Sequence, residues 1–305
     1  GSAIVIAANC GGALTVIGDP NGLVLWNNGA VTASNFSASL AIPCIIAFVV
    51  PMLWLGKLLP EHIDLQSFTM PYRGDDTNLN HWQRLLMLFI GIGGLWFIPT
   101  FHNITKLSPC LGALCVLSLL WIVNEVVNRK LMNADQMIQQ PVPRVLQYGV
   151  IQLMLFVMGI TLAIGVVRET EFIPQLADFC DKNINNIWIM GVFAGLTSCV
   201  LDTFATCMSF ISLYNIVDVE QTVVSMSDEF ISSMGQNGLY WKIIAYCSAM
   251  GGNVMLIGSI SGLALMKMER IHIGWYIKNV GLFAFLGWLG GLAFMWVMNK
   301  LLIVF

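Results

Sequence analysis

Two aspartates sit in apolar segments of the sequence that contain no lysine or arginine. Asp19 sits inside an interruption of the hydrophobic segment 1–26, and Asp202 stands near the middle of an apolar stretch at 186–214. A charged carboxylate at the centre of a bilayer costs roughly 2.5–3.5 kcal/mol on insertion scales. It persists there by pairing, by binding a cation or by holding a proton, and no intramembrane lysine or arginine is positioned to neutralise either residue. A carboxyl group that trades a proton for a metal ion carries out the elementary step of proton-coupled cation exchange. Hard oxygen donors surround both sites: Asn9, Thr15 and Asn21 near the first, Ser198, Thr203 and Thr206 near the second. Asn253, Ser259 and Ser261 form a third group. Carboxylate, hydroxyl and carbonyl oxygens suit a small hard cation such as Na⁺ or Li⁺.

Plainer readings exist for each residue. Asp19 lies between Gly18 and Pro20-Asn21-Gly22, a setting that also suits a turn or cap. A serine or threonine in a membrane helix usually bonds the preceding turn. Glu125, beside Asn124 and close to Arg129, reads as an interfacial charge at a helix end.

The elements that hold these residues repeat one another. Gly11-Gly12-Ala13-Leu14-Thr15-Val16-Ile17-Gly18-Asp19-Pro20-Asn21-Gly22-Leu23-Val24-Leu25 overlays Gly251-Gly252-Asn253-Val254-Met255-Leu256-Ile257-Gly258-Ser259-Ile260-Ser261-Gly262-Leu263-Ala264-Leu265 without a gap. Both opening glycines, Ile17/Ile257, Gly18/Gly258, Gly22/Gly262, Leu23/Leu263 and Leu25/Leu265 agree. Shared glycine content alone is common in membrane helices. Ungapped agreement of this density, followed each time by a polar linker and one more span, favours an internal repeat. Glycine, proline and polar groups at matching places in two membrane segments point to broken helices around a midplane site.

Composition agrees. The chain is 57% hydrophobic and 10% charged, too little polar surface for a soluble globule of 305 residues. Spans of membrane length are expected at about 38–58 (with Pro43 and Pro51), 83–101, 107–127, 145–167 and 274–304. Broken segments are expected at 1–26 and 239–266, with interruptions at Gly11-Gly12 and at Gly18–Gly22 in the first. The eight cysteines lie mostly inside apolar runs, without metal-site spacing, and read as small packing residues. The net charge of −3 argues against a nucleic-acid partner. Gly1-Ser2-Ala3-Ile4-Val5 opens in mid-helix, so an upstream part is expected.

Loop charges set the orientation. If 186–214 dips in and returns as a re-entrant hairpin with Asp202 at its tip, both acidic linkers share one face. These are Glu169, Glu171, Asp178 and Asp181 on one side of it, and Asp218, Glu220, Asp228 and Glu229 on the other. Lys57, Arg73, Arg84, Arg129, Lys130, Arg144, Lys267, Arg270 and Lys278 then share the cytoplasmic face. The two glycine-rich segments also run in opposite directions, the mark of inverted-topology repeats. The expected fold is an all-α polytopic membrane protein, an inverted-repeat secondary transporter with broken helices and a re-entrant hairpin. Its expected divisions are 1–58, the end of a first repeat; 59–82, a cytoplasmic loop; 83–185, scaffold helices of the second repeat; and 186–305, its transport part.

At these residues the chain resembles the NhaD-type sodium/proton antiporters of the ion transporter superfamily. Asn9-x-Gly11-Gly12-x-x-Thr15-x-Ile17-Gly18-Asp19 is similar to that family's first broken helix, and Gly251-Gly252 through Ile257-Gly258-Ser259-x-Ser261-Gly262 to its partner. Met266-x-Met268-Glu269 and Trp275-Tyr276 continue the likeness, which covers the later part of a family member. The resemblance implies export of Na⁺ (or Li⁺) in exchange for H⁺, no enzymatic activity and no cofactor. It also implies a homodimer and a multi-pass location in the inner (plasma) membrane of a bacterial cell. It carries Asp19, Asp202, Asn9, Ser198 and Ser259 over as site residues. Two departures bear on ion choice: Asp202-Thr203 stands where the family has Asp-Asn, and Asn21-Gly22 where relatives often carry two threonines.

Three other functions compete. An anion carrier of the same architecture, for dicarboxylate or arsenite, would use Ser-Asn-Thr tips and helix N-termini; the aspartates would repel its cargo. An intramembrane aspartyl protease would want Gly-x-Gly-Asp, where Val16 takes the first glycine's place, and Tyr-Asp, where Leu201 precedes Asp202. An inactive fragment, lacking the first hairpin, is the third.

Overall fold

The computed structural model describes residues 1–58, 81–128, 151–184, 186–216, 232–269 and 271–302. The expected polar loop with Arg73-Gly74-Asp75-Asp76 falls outside them. So do Arg129, Lys130, Arg144, Arg270 and the linker carrying Asp218, Glu220, Asp228 and Glu229. Among the described residues the chain is helical, without strands. Four helices are long and apolar enough to cross a membrane: Ala33–Lys57, His81–Thr105, Pro109–Val126 and Ile273–Leu301. The protein is a multi-pass helical membrane protein.

Gly1–Pro60 and Val157–Phe305 make one compact unit, and Glu61–Phe156 a second. In chain order, α1 (Ser2–Ala13), α2 (Pro20–Asn27) and α3 (Ala33–Leu58) open the first unit. The second unit holds α4 (His81–Thr105) and α5 (Pro109–Asn128), a helical pair. Its close approach uses small residues, with Gly94 against the Val116 side chain and Gly112 beside Ile98 and Phe101. Trp82, Phe89, Trp96, Leu114 and Ile122 face outward, as lipid-facing side chains must.

Helix α6 (Ile151–Glu169) is followed by α7 (Phe172–Asn183), α8 (Ile187–Val200) and α9 (Thr203–Ile211). Then come α10 (Leu239–Gly251), a 3₁₀ turn at Leu256–Gly258 and α11 (Ile260–Glu269). The chain closes with α12 (Ile273–Tyr276), a π-helical turn at Ile277–Gly281 and α13 (Leu282–Leu302). In the first unit α3 packs on α13 and α8 on α10. Helix α10 is the core, with every residue from Tyr240 to Gly251 buried. Its backbone comes so near α8 that a Cβ on Gly251 would collide with the Gly195 carbonyl, and Gly195 itself lies under the Trp288 ring.

Two local readings are corrected. Gly11-Gly12 does not interrupt the helix; α1 runs through both and stops at Ala13. Pro20-Asn21-Gly22 belongs to α2, not to the break. The reason is that proline in the first helical turn gives up no bonded N–H and its fixed φ already suits a helix. The acidic stretch after Glu171, read as a linker, is largely α7, whose Ile173, Leu176, Ala177 and Cys180 form one apolar stripe.

Candidate functional site

Three breaks converge in the first unit. The first, at 14–19, ends with Asp19 as N-cap of α2, at φ −135° and ψ 141°, its carboxylate accepting from the Asn21 N–H. The second, at 252–259, ends with Ser259 before α11, at φ −136° and ψ 148°. Its hydroxyl accepts from the Gly262 N–H at 3.2 Å. Sequence-matched residues therefore make the same turn. The glycines match as well: a Cβ on Gly22 would meet the Val16 backbone, and one on Gly262 the equivalent Leu256 backbone. The third break separates α8 from α9 at Leu201-Asp202. There Asp202 is the N-cap of α9, with Oδ2 accepting from the N–H groups of Phe204 (3.0 Å) and Ala205 (3.4 Å).

A cavity of about 180 Å³ lies where the breaks meet, lined by Asn9, Asp19, Thr203, Ser259 and Ser261 among others. Asn9 bridges the two broken segments. Its Nδ2 donates to Asn253 Oδ1 at 2.8 Å, and its Oδ1 accepts from the Ser261 hydroxyl at 2.7 Å. Ser259 and Ser261 share a hydrogen bond at 3.2 Å. Asn253 is held from behind, its carbonyl accepting from Tyr276 Oη at 3.0 Å. Asn9, Asn253, Ser259 and Ser261 thus form one hydrogen-bonded network across the two broken segments.

Asp202 is outside the cavity lining, but the helix it caps, α9, packs against α2, the helix capped by Asp19. Asn21 Nδ2 donates to Asp19 Oδ2 at 3.2 Å and to Ser248 Oγ at 3.5 Å. Among the described residues, four buried side-chain polar atoms make no hydrogen bond: Asn21 Oδ1, Asp202 Oδ1, Thr206 Oγ1 and Trp288 Nε1. Three of the four are oxygens on α2 and α9, which pack together. Thr206 follows Asp202 by one turn and is 1% exposed, yet its hydroxyl does not bond the preceding turn. An orphaned buried acceptor costs about 1–3 kcal/mol. Oxygens left so beside two carboxylates have the chemistry of a cation's ligands.

Two expected site residues lie apart from these atoms. Thr15 sits against Gly18, to whose N–H its carbonyl is bonded. Ser198 is fully buried and donates to the Ser248 carbonyl at 2.6 Å, fastening α8 to α10. Thr206 was legible only as a neighbour of Asp202; its empty hydroxyl is a tertiary property.

With this geometry in view, three relatives are informative. "Sodium/proton antiporter 1" of Arabidopsis thaliana is 29% identical over 300 residues, covering 96% of this chain and 47% of its own length. The "Na(+)/H(+) antiporter NhaD" of Vibrio parahaemolyticus is 23% identical over 295 residues, 88% of this chain and 63% of its own. A "46 kDa membrane protein" of Mycobacterium leprae is 21% identical over 279 residues, 87% of this chain and 58% of its own. The chain thus spans about half to two thirds of the length of these relatives. No protein-family model and no solved structure matches it. Over most of its length, the chain is similar to plant sodium/proton antiporters and to the bacterial NhaD antiporters.

Proposed function

We propose that this chain forms the later part of a secondary active antiporter that exports Na⁺ (or Li⁺) in exchange for H⁺. The observation that carries the reading is the trio of unpartnered buried oxygens, Asn21 Oδ1, Asp202 Oδ1 and Thr206 Oγ1, on two helices that pack together and are capped by Asp19 and Asp202. The similarity to sodium/proton antiporters supports the same assignment. Asp19 and Asp202, two half-buried carboxylates without a basic partner among the described residues, hold either protons or a cation. Asn21 and Thr206 supply neutral oxygens to the bound ion. Asn9, Asn253, Ser259 and Ser261 keep the broken segments in register, and Thr203 faces the cavity by which the ion arrives.

In the same reading, the two broken segments are inverted repeats, and 186–214 is a re-entrant hairpin with Asp202 at its tip. Residues 1–58 close a first repeat, 83–185 are scaffold and 186–305 are the second transport part. The cytoplasmic face is the basic one, the membrane is the bacterial plasma membrane, and the protein works as a homodimer. Ion exchange is assigned to the whole protein, of which relatives of this kind extend beyond the matched region.

The test is Asp202→Asn in the full-length protein, assayed in everted vesicles. The substitution should abolish Na⁺-dependent dissipation of an imposed pH gradient while leaving the protein in the membrane. Undiminished dissipation would remove Asp202 from the mechanism.

A further inference from the structure

A second and larger cavity, of about 840 Å³, opens at the other end of α10. The starts of α3, α8 and α10 and the end of α13 enclose it. Lys242, in the first turns of α10, is 6% exposed and points into it. No hydrogen bond or ion pair joins its ammonium group to another described residue. Lys300 stands on the rim, its Nζ 4.4 Å from the centroid of the Trp296 ring. Among the described residues the lining contains these two lysines and no carboxylate. The N-terminus of α10 adds its positive end, Gly238 supplying no side-chain cap. A buried ammonium that is not paired costs several kcal/mol, and no described residue pairs with this one, so the site suits an anion.

The remainder of the lining indicates what kind. Ile42, Pro43, Phe294, Met295 and Met298 make one wall apolar, and Asn35, Ser39 and Asn299 offer polar groups beside the lysines. The volume is many times that of a simple inorganic ion and within the range that holds a large amphiphile. Trp188 and Trp296, with Lys300, have the composition of a membrane–water interface belt.

We infer that this cavity binds an anionic phospholipid, with the phosphate against Lys242 and Lys300 and the acyl chains along α3 and α13. The lipid would join the N-terminus of α10, which carries the second broken segment, to the long helices flanking it. The loop before α10 is already fixed for this role. Asn237 Oδ1 accepts from the Thr32 N–H at 2.7 Å, and Trp241 Nε1 donates to the Met234 carbonyl at 3.1 Å.

The test uses the delipidated full-length protein in neutral detergent, with phosphatidylglycerol, phosphatidylcholine or inorganic phosphate added. Phosphatidylglycerol should raise the unfolding temperature and be retained in native mass spectra, whereas phosphatidylcholine and inorganic phosphate should do neither. Lys242→Met should weaken that retention about tenfold, the worth of one charge-assisted hydrogen bond. Ser39→Trp, which fills the cavity and removes no charge, should weaken it too. The readout is the lipid-dependent shift, so a change in baseline stability from removing a buried charge does not obscure it. Equal protection by inorganic phosphate, or unchanged lipid retention in Lys242→Met and Ser39→Trp, overturns the proposal.

Discussion

Thr206 separates a structural from a functional reading because the two predict opposite signs. Its hydroxyl is buried and bonds nothing among the described residues, so replacing it by the isosteric valine removes an orphaned polar atom. On structural grounds alone Thr206→Val is neutral or stabilising, by up to about 1–3 kcal/mol. If the hydroxyl is a ligand to the transported ion, the same substitution raises the apparent KM for Na⁺ about tenfold, or about 1.4 kcal/mol. Stability and ion affinity should therefore move in opposite directions, measured by thermal unfolding in detergent and by Na⁺ titration in vesicles. A Thr206→Val protein with unaltered KM removes Thr206 from the shell. The two aspartates were legible in the sequence because a carboxylate in an apolar run is costly whatever surrounds it. Thr206 was visible only as an oxygen near Asp202, and Lys242 not at all, since being unpartnered depends on what the rest of the fold brings near.

At the level of elements, the breaks depend on glycines that permit backbone to lie on backbone. A Cβ on Gly18 would meet the Gly12 carbonyl oxygen, and one on Gly258 the Ser198 carbonyl oxygen. Backbone cannot swing aside as a side chain can, so Gly18→Ala and Gly258→Ala should each cost about 1–3 kcal/mol, the usual range for overpacking. Gly11 is the internal control. It lies inside α1 with nothing within 4 Å of where its Cβ would stand, so Gly11→Ala should be neutral or stabilising by up to about 1 kcal/mol. Equal loss of unfolding temperature in all three would show that glycine content, rather than these contacts, matters. The ungapped match of the two segments revealed this pairing of roles, because identical turns need glycine at identical places. It could not reveal where each helix stops. Gly11-Gly12 is a weak breaker inside a helix packed on neighbours, and Pro20 begins a helix as readily as it ends one. The stripe on α7 was concealed by the acids between its apolar positions.

For the molecule as a whole, the site draws on segments near residues 9–21, 198–206 and 248–261, all within the unit formed by Gly1–Pro60 and Val157–Phe305. On the proposed mechanism no single helix holds the ion, so proton and cation compete for groups contributed by several. Competition fixes the sign of the pH dependence. As pH falls, protons occupy the carboxylates, Na⁺ has to displace them, and the apparent KM for Na⁺ rises. Where one proton leaves for each ion bound, log KM changes by about one per pH unit on the acid side; where both aspartates must empty, by about two. A slope near two would mean that Asp19 and Asp202 act as one proton-binding pair. A slope near one would leave a single carboxylate exchanging its proton while the other stays charged. The measurement is Na⁺-dependent dissipation of a pH gradient in everted vesicles, titrated with Na⁺ at several fixed pH values. A KM for Na⁺ indifferent to pH, with only the maximal rate declining, would place the proton and the cation on separate groups and end the shared-site mechanism.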